Sequence, residues 1–184
     1  MIWESRYWKS DLQKDAEILR RWSTKKHSSR RDVLFEKKIF ISAFIIRKLT
    51  DAKKINVDFP KGNIPIQKFL RINREKPITL LNWHKIDSFY DLKTPISGSI
   101  NIEDLSDLII HSFIYCLVFA AKDHVDSFYI TSDKKKDDFL WSINLKKFTE
   151  LLNNIGHTEL VEFTMEKKKK ERCGYKISKR KYSQ

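Results

Sequence analysis

Apolar positions in the first part of the chain repeat with a helical period. Leu12, Ala16, Leu19 and Trp22 share one face behind Ser10-Asp11-Leu12-Gln13, a capping-box pattern, and predict a helix over about 11–23. The polar, basic stretch STKKHSSRR follows and reads as a loop. Ser29 and Asp32 then open a second helix, about 30–52, with three apolar stripes: Leu34, Ile41 and Ile45; Phe35, Ile39, Ile46 and Leu49; Val33, Phe40 and Phe44. So wide an apolar surface predicts burial on several sides. Arg47 sits behind Phe44-Ile45-Ile46, which predicts a buried stem and a guanidinium that reaches a partner.

The helical period is lost from Ile55 to Ser99, where all four prolines fall, with Gly62 and Gly98. Loops and short edge strands are expected there, with Ile64–Ile72 and Ile78–Trp83 as candidate strands and His84–Asp91 as a short helix. Asn101–Lys122 has neither Gly nor Pro, and after Leu108 only His111 and Ser112 interrupt its apolar run. With Asn101 as cap and Asp104 and Asp107 in its first turns, it predicts a buried central helix. Its run Phe113–Ala121 falls short of the about 20 residues that cross a bilayer, so no membrane partner is expected. Beyond it the period switches to two. Ser127–Thr131 and Phe139–Ile143 predict a hairpin around SDKKKDD. Asn144 caps a helix that stops at Gly156, and Thr158–Met165 and Cys173–Ser178 predict a second hairpin around KKKKER.

The fold class that follows is α+β: an N-terminal helical layer and a buried central helix packed with a C-terminal antiparallel ββαββ sheet. One domain, 1–184, is expected, with a helical basic part (1–54), an irregular part (55–100), the central helix (101–123) and a sheet part with a basic hairpin (124–184). The 184 residues are 41% apolar and 12% aromatic, enough to fill a core. MIWESRYWKS has no apolar h-region, so no signal peptide is expected. Cys116, in the apolar run, and the distant Cys173 form no disulfide framework, which fits a reducing cytoplasm.

Charge changes the picture more than composition does. The net charge is +13. Residues 1–60 carry 15 Lys and Arg against 8 Asp and Glu, residues 61–163 carry 13 against 14, and residues 164–184 carry 9 against 2. A near-neutral middle between two basic ends points to RNA, DNA or an acidic protein as partner. Two loops concentrate the cations. Lys25, Lys26, Arg30 and Arg31, beside Trp22 and His27, form one; Lys167, Lys168, Lys169, Lys170 and Arg172 form the other. Such loops neutralise phosphates without reading sequence.

Three clusters could carry chemistry. Asp107 and His111 are four residues apart, with Asp104 one turn earlier, so a carboxylate could orient the imidazole for acid–base work. The same residues also read as acids at a helix start and a core histidine bonded to Asp107. His84, Asp87 and Asp91 share one face if helical and could hold a metal or a general base, or stand on a solvated turn. No HExxH, paired CxxC or DxDxDG accompanies them, and no cofactor is implied. Arg21 and His27, in RWSTKKH, resemble the R-x4-6-H motif of the HEPN families, helical domains that include metal-independent ribonucleases. The resemblance covers this motif and the helical character of the first half. It implies Arg21 on a phosphate and His27 assisting attack by a ribose 2′-OH. Here the motif lies at a helix end and in the following loop, whereas those families carry it near a helix start. The reading that gathers most of these features is a non-enzymatic nucleic-acid-binding domain. Its rivals are a HEPN-like or metal-dependent nuclease, and an interaction subunit for an acidic protein.

Overall fold

The computed structural model of the chain describes residues 2–26, 28–55, 63–72, 74–120, 124–167 and 175–183, and of the segments 159–167 and 175–183 the backbone only. The fold is α+β. Helices α1 (Ser5–Ser23) and α2 (Ser29–Asp51) open the chain. Strands β1 (Asn63–Leu70), β2 (Ile96–Asn101), β3 (Ser112–Phe119), β4 (Val125–Ser132) and β5 (Phe139–Asn144) form one antiparallel sheet in the order β2-β1-β5-β4-β3. Helix α3 (Ile102–Ile110) lies between β2 and β3, and α4 (Leu145–His157) follows β5. Strands β6 (Glu159–Lys167) and β7 (Tyr175–Ser183) pair with each other in a separate ladder.

Several caps act as their residue types dictate. Asn101 Oδ1 accepts from the Asp104 N–H at 2.7 Å, and Asn144 Oδ1 from the Lys147 N–H at 3.2 Å. Ser28 rather than Ser29 caps α2, accepting from the Arg31 N–H at 3.4 Å. α1 starts ahead of the capping box, at Ser5, with Glu4 as its cap. Trp8 packs on the same core as Leu12 and Leu19, so the buried stripe carries the helix past Ser10 toward the N-terminus. Gly156 does not stop α4, which runs on to His157. An ideal Cβ at Gly156 would lie 3.0 Å from the Lys9 carbonyl oxygen and overlap Gln13. Its role is close approach of α4 to α1, not a left-handed cap.

The expected central helix is corrected. Only Ile102–Ile110 is helical; Ser112–Phe119 is β3, which pairs with β4. In α3, Leu105, Leu108 and Ile109 face the core at helical spacing. In β3, Tyr115 and Leu117 pack with the main core and Ile114 and Cys116 with a second cluster. A strand covered on both faces loses its period of two and reads like a buried helix. Cys116 is therefore a strand residue, half-buried, whose thiol is pushed up to about 11 by burial.

The expected C-terminal ββαββ order is present as β4, β5, α4, β6 and β7, but its two hairpins do not share a sheet. Hairpin β4–β5 instead completes a sheet with β1, β2 and β3. Ile64, Ile66, Phe128, Ile130 and Ile143 point to the helices, against Leu12, Leu19, Ile39, Ile46, Leu105 and Phe148. The opposite face carries Phe69, Ile114 and Leu140 under Ile78, Ile86, Phe89 and Tyr90. Residues 78–83, a candidate strand in sequence, form instead a turn within this cover. Asn82 Oδ1 accepts from the Thr79 N–H at 2.7 Å, and its amide donates to the Pro77 carbonyl at 3.0 Å, so its side chain replaces a ladder partner. His84–Asp91 contributes one short helical turn, Ile86–Ser88. Buried Arg71 holds the cover: it donates to the Lys76 carbonyl and lies 4.9 Å from the centre of the Phe89 ring. Among the described residues no helix is long and apolar enough to cross a membrane.

Candidate functional site

The joint between α1 and α2 gathers cations that the fold does not use. Arg20 and Arg21 end α1, Lys25 and Lys26 lie in the connection, and Arg30 and Arg31 open α2. Arg20, Arg21, Lys25, Lys26 and Arg30 are exposed, and none of them makes an ion pair among the described residues. Arg31 is half-buried, and its Nη1 is buried with no hydrogen-bond partner among those residues. Arg20 and Arg21 sit favourably at a helix C-terminus. Arg30 and Arg31 sit at the positive end of α2, where a cation costs about 0.3–1 kcal/mol rather than stabilising. Only Asp32 offsets them in that turn.

Several cations elsewhere are tied to carboxylates. Lys14 meets Asp11 at 3.1 Å, Lys38 meets buried Asp15 at 2.5 Å, Lys147 meets Glu150 at 3.0 Å, and Lys136 binds Asp133. Arg47 meets Asp51 at 3.1 Å and Asp107 at 2.5 Å, so its guanidinium does reach a partner. The second basic cluster cannot be placed in the same way: Lys168, Lys169, Lys170 and Arg172 lie outside the described residues, and Lys167 ends β6. His27 is also outside them, so of the R-x4-6-H pair only Arg21 is located, exposed in the last turn of α1.

At the other end of α2 a cleft of about 950 Å³ opens between α3 and the β4–β5 turn. Asp104, Asp107, Leu108 and His111 line one wall, Ser132, Asp133, Lys134 and Lys135 the other, and Ile100 and Trp141 add apolar surface. The helical spacing thus brings Asp107 and His111 to one cleft, but not to each other as an acid–base pair. The Asp107 carboxylate is on Arg47, while the His111 backbone N–H caps α3 on the Asp107 carbonyl at 2.9 Å. His111 is exposed, not a core histidine.

His84, Asp87 and Asp91 are not brought together. His84 and Asp87 are exposed, and Asp91 accepts from the Thr94 hydroxyl and, at 3.0 Å, from the Lys93 N–H. These bonds, the Thr94 one first, hold the Asp91 carboxyl below its ordinary range. Among the described residues no three His, Cys, Asp or Glu side chains gather as a cation site.

Trp141, which lines the cleft, also meets a cation outside it. Lys68 Nζ stands 4.6 Å from the Trp141 ring centre and 5.2 Å from that of Phe139, and these two rings meet edge-on at 4.9 Å. The alternation in FLWSI puts Phe139 and Trp141 on one face, but nothing local indicates that Lys68 pairs opposite Trp141. No protein-family model, curated protein or solved structure matches the chain. The functional reading therefore rests on the geometry above.

Proposed function

We propose that this chain is a non-enzymatic, cytoplasmic nucleic-acid-binding domain that holds phosphates at the α1–α2 joint. The observation that carries the reading is the clustering of unpaired charge: Arg20, Arg21, Lys25, Lys26 and Arg30 stand together at one helix joint, exposed and without an ion pair among the described residues, whereas Lys14, Lys38, Arg47, Lys136 and Lys147 are tied to carboxylates. Uncompensated cations beside the N–H groups of a helix start suit a phosphate, which meets both. Contacts of this kind bind the backbone without reading bases. Lys168, Lys169, Lys170 and Arg172, between β6 and β7 in sequence, repeat the same chemistry.

The test is fluorescence anisotropy with labelled single-stranded RNA and duplex DNA at low and near-physiological salt, followed by a denaturing gel of the same samples. Binding that weakens steeply with salt and leaves the probe intact supports the reading. A shortened probe favours a nuclease and directs attention to Arg21 and His27. Absence of binding at low salt removes both and leaves an acidic protein as the partner the charge would serve.

A further inference from the structure

We propose that the cleft between α3 and the β4–β5 turn is a binding site for a small organic anion with an apolar or aromatic body. Its volume of about 950 Å³ lies at the upper end of the roughly 300–1,000 Å³ typical of small-molecule sites. Ile100, Leu108 and Trp141 supply the apolar lining that such sites use for the body of a ligand.

The charge of the ligand follows from which lining groups are already engaged. Asp107 is held by Arg47 at 2.5 Å and Asp133 by Lys136. Asp104 accepts from the Asn101 amide at 2.7 Å and lies in the first turn of α3, where the helix favours a carboxylate. The charged lining side chains left without a close carboxylate among the described residues are lysines. Lys134 makes no ion pair, and Lys135 has only Asp138, at 4.0 Å. The His111 imidazole, exposed in the cleft wall, has no hydrogen-bond partner there. An acidic head fits at Lys134, Lys135 and His111, with its body on Ile100, Leu108 and Trp141. A cationic ligand finds no carboxylate without an existing partner.

The site lies at the opposite end of α2 from the joint of unpaired cations, so it does not depend on nucleic-acid binding. The probe is anilinonaphthalene sulfonate, an aromatic anion whose fluorescence rises in an apolar site. The folded full chain is expected to bind it saturably at one site. Lys134→Glu with Lys135→Glu should weaken that binding at least tenfold. Ser132→Trp, which fills the cleft from β4, should abolish it. Arg21→Glu with Lys25→Glu should leave it unchanged. Circular dichroism keeps the comparison to folded variants. Displacement by AMP identifies a nucleotide; displacement by naphthalene sulfonate but not AMP identifies another organic anion, and either supports the site. Binding that survives both cleft changes overturns the proposal, as does equal binding of the cationic dye dansylcadaverine or no saturable binding at all.

Discussion

The two ends of α2 treat the same residue type in opposite ways. Arg30, in the first turn, is exposed and unpaired among the described residues. Arg47, about 26 Å further along the axis, is braced by Asp107 and Asp51, which together raise its pKa, Asp107 most. Lys38 stands between them with its ammonium on Asp15, which is 3% exposed. One helix thus carries a free cation, a cation that joins two helices, and a cation held by a carboxylate of a cleft wall. A net charge of +13 does not distinguish them. What distinguishes them is whether another element brings a carboxylate within reach, and only the free ones are available to a polyanion.

The largest effect should come from reversing the free end. Arg21→Glu, Lys25→Glu, Lys26→Glu and Arg30→Glu together are expected to weaken RNA or duplex DNA binding by about 100-fold at low salt, and to flatten the salt slope by roughly three. The melting temperature should hardly move, since these side chains are exposed and make no ion pairs. The matched control is Lys14→Glu, Lys93→Glu, Lys146→Glu and Lys147→Glu, which reverses as many exposed cations elsewhere. An equal loss in that control would mean that total charge, not its placement, drives binding.

A smaller effect is expected in the middle of the helix. Asp15→Ala removes the acceptor of Lys38 at 2.5 Å and of the buried Ser42 hydroxyl at 3.3 Å. The loss should be about 2 kcal/mol in urea unfolding, because Ser42 is left unsatisfied while Lys38 can turn toward water. Lys38→Met alone should cost at least as much, since it leaves the buried Asp15 carboxylate with only the Ser42 hydroxyl. In a double-mutant cycle the two changes should couple. Nucleic-acid affinity should stay within about twofold, and a larger drop would place the α1–α2 packing inside the interface.

Different parts of this arrangement were legible in the sequence to different degrees. The α1 stripe, the Phe35, Ile39, Ile46 and Leu49 stripe of α2, the Asn101 and Asn144 caps and the β4–β5 hairpin were readable because each depends on neighbours within a few residues, whereas the burial of α2 on several sides is corrected: Val33, Leu34, Ile41 and Phe44, from its other two stripes, are exposed. The helix-to-strand switch at His111 was not, because Ser112–Phe119 is apolar on both faces and periodicity cannot separate such a strand from a buried helix. A closer weighting of its aromatic and β-branched residues was the available signal. The Arg47 guanidinium was foreseen to have a partner, but not which one, since Asp107 is distant in sequence. The shared cleft of Asp107 and His111 followed from helical spacing. Its other wall required knowing that β3 pairs with β4 and β5 with β1.

The smallest predicted effect sharpens the contrast from the paired end. Asp107→Asn removes the closer of two carboxylates on Arg47 and leaves Asp51 at 3.1 Å. The Arg47 side chain is 38% exposed, so water screens the pair and the stability lost should be only about 0.5–1 kcal/mol. High salt should shrink that difference further. If nucleic acid is held only at the far end of α2, freeing Arg47 leaves its affinity unchanged. If affinity rises several-fold, the cleft end contributes to the same surface and the two ends of the helix act on one ligand. The anisotropy assay and a urea melt on this single variant separate those outcomes, because a purely structural role for Asp107 moves the melt and not the affinity.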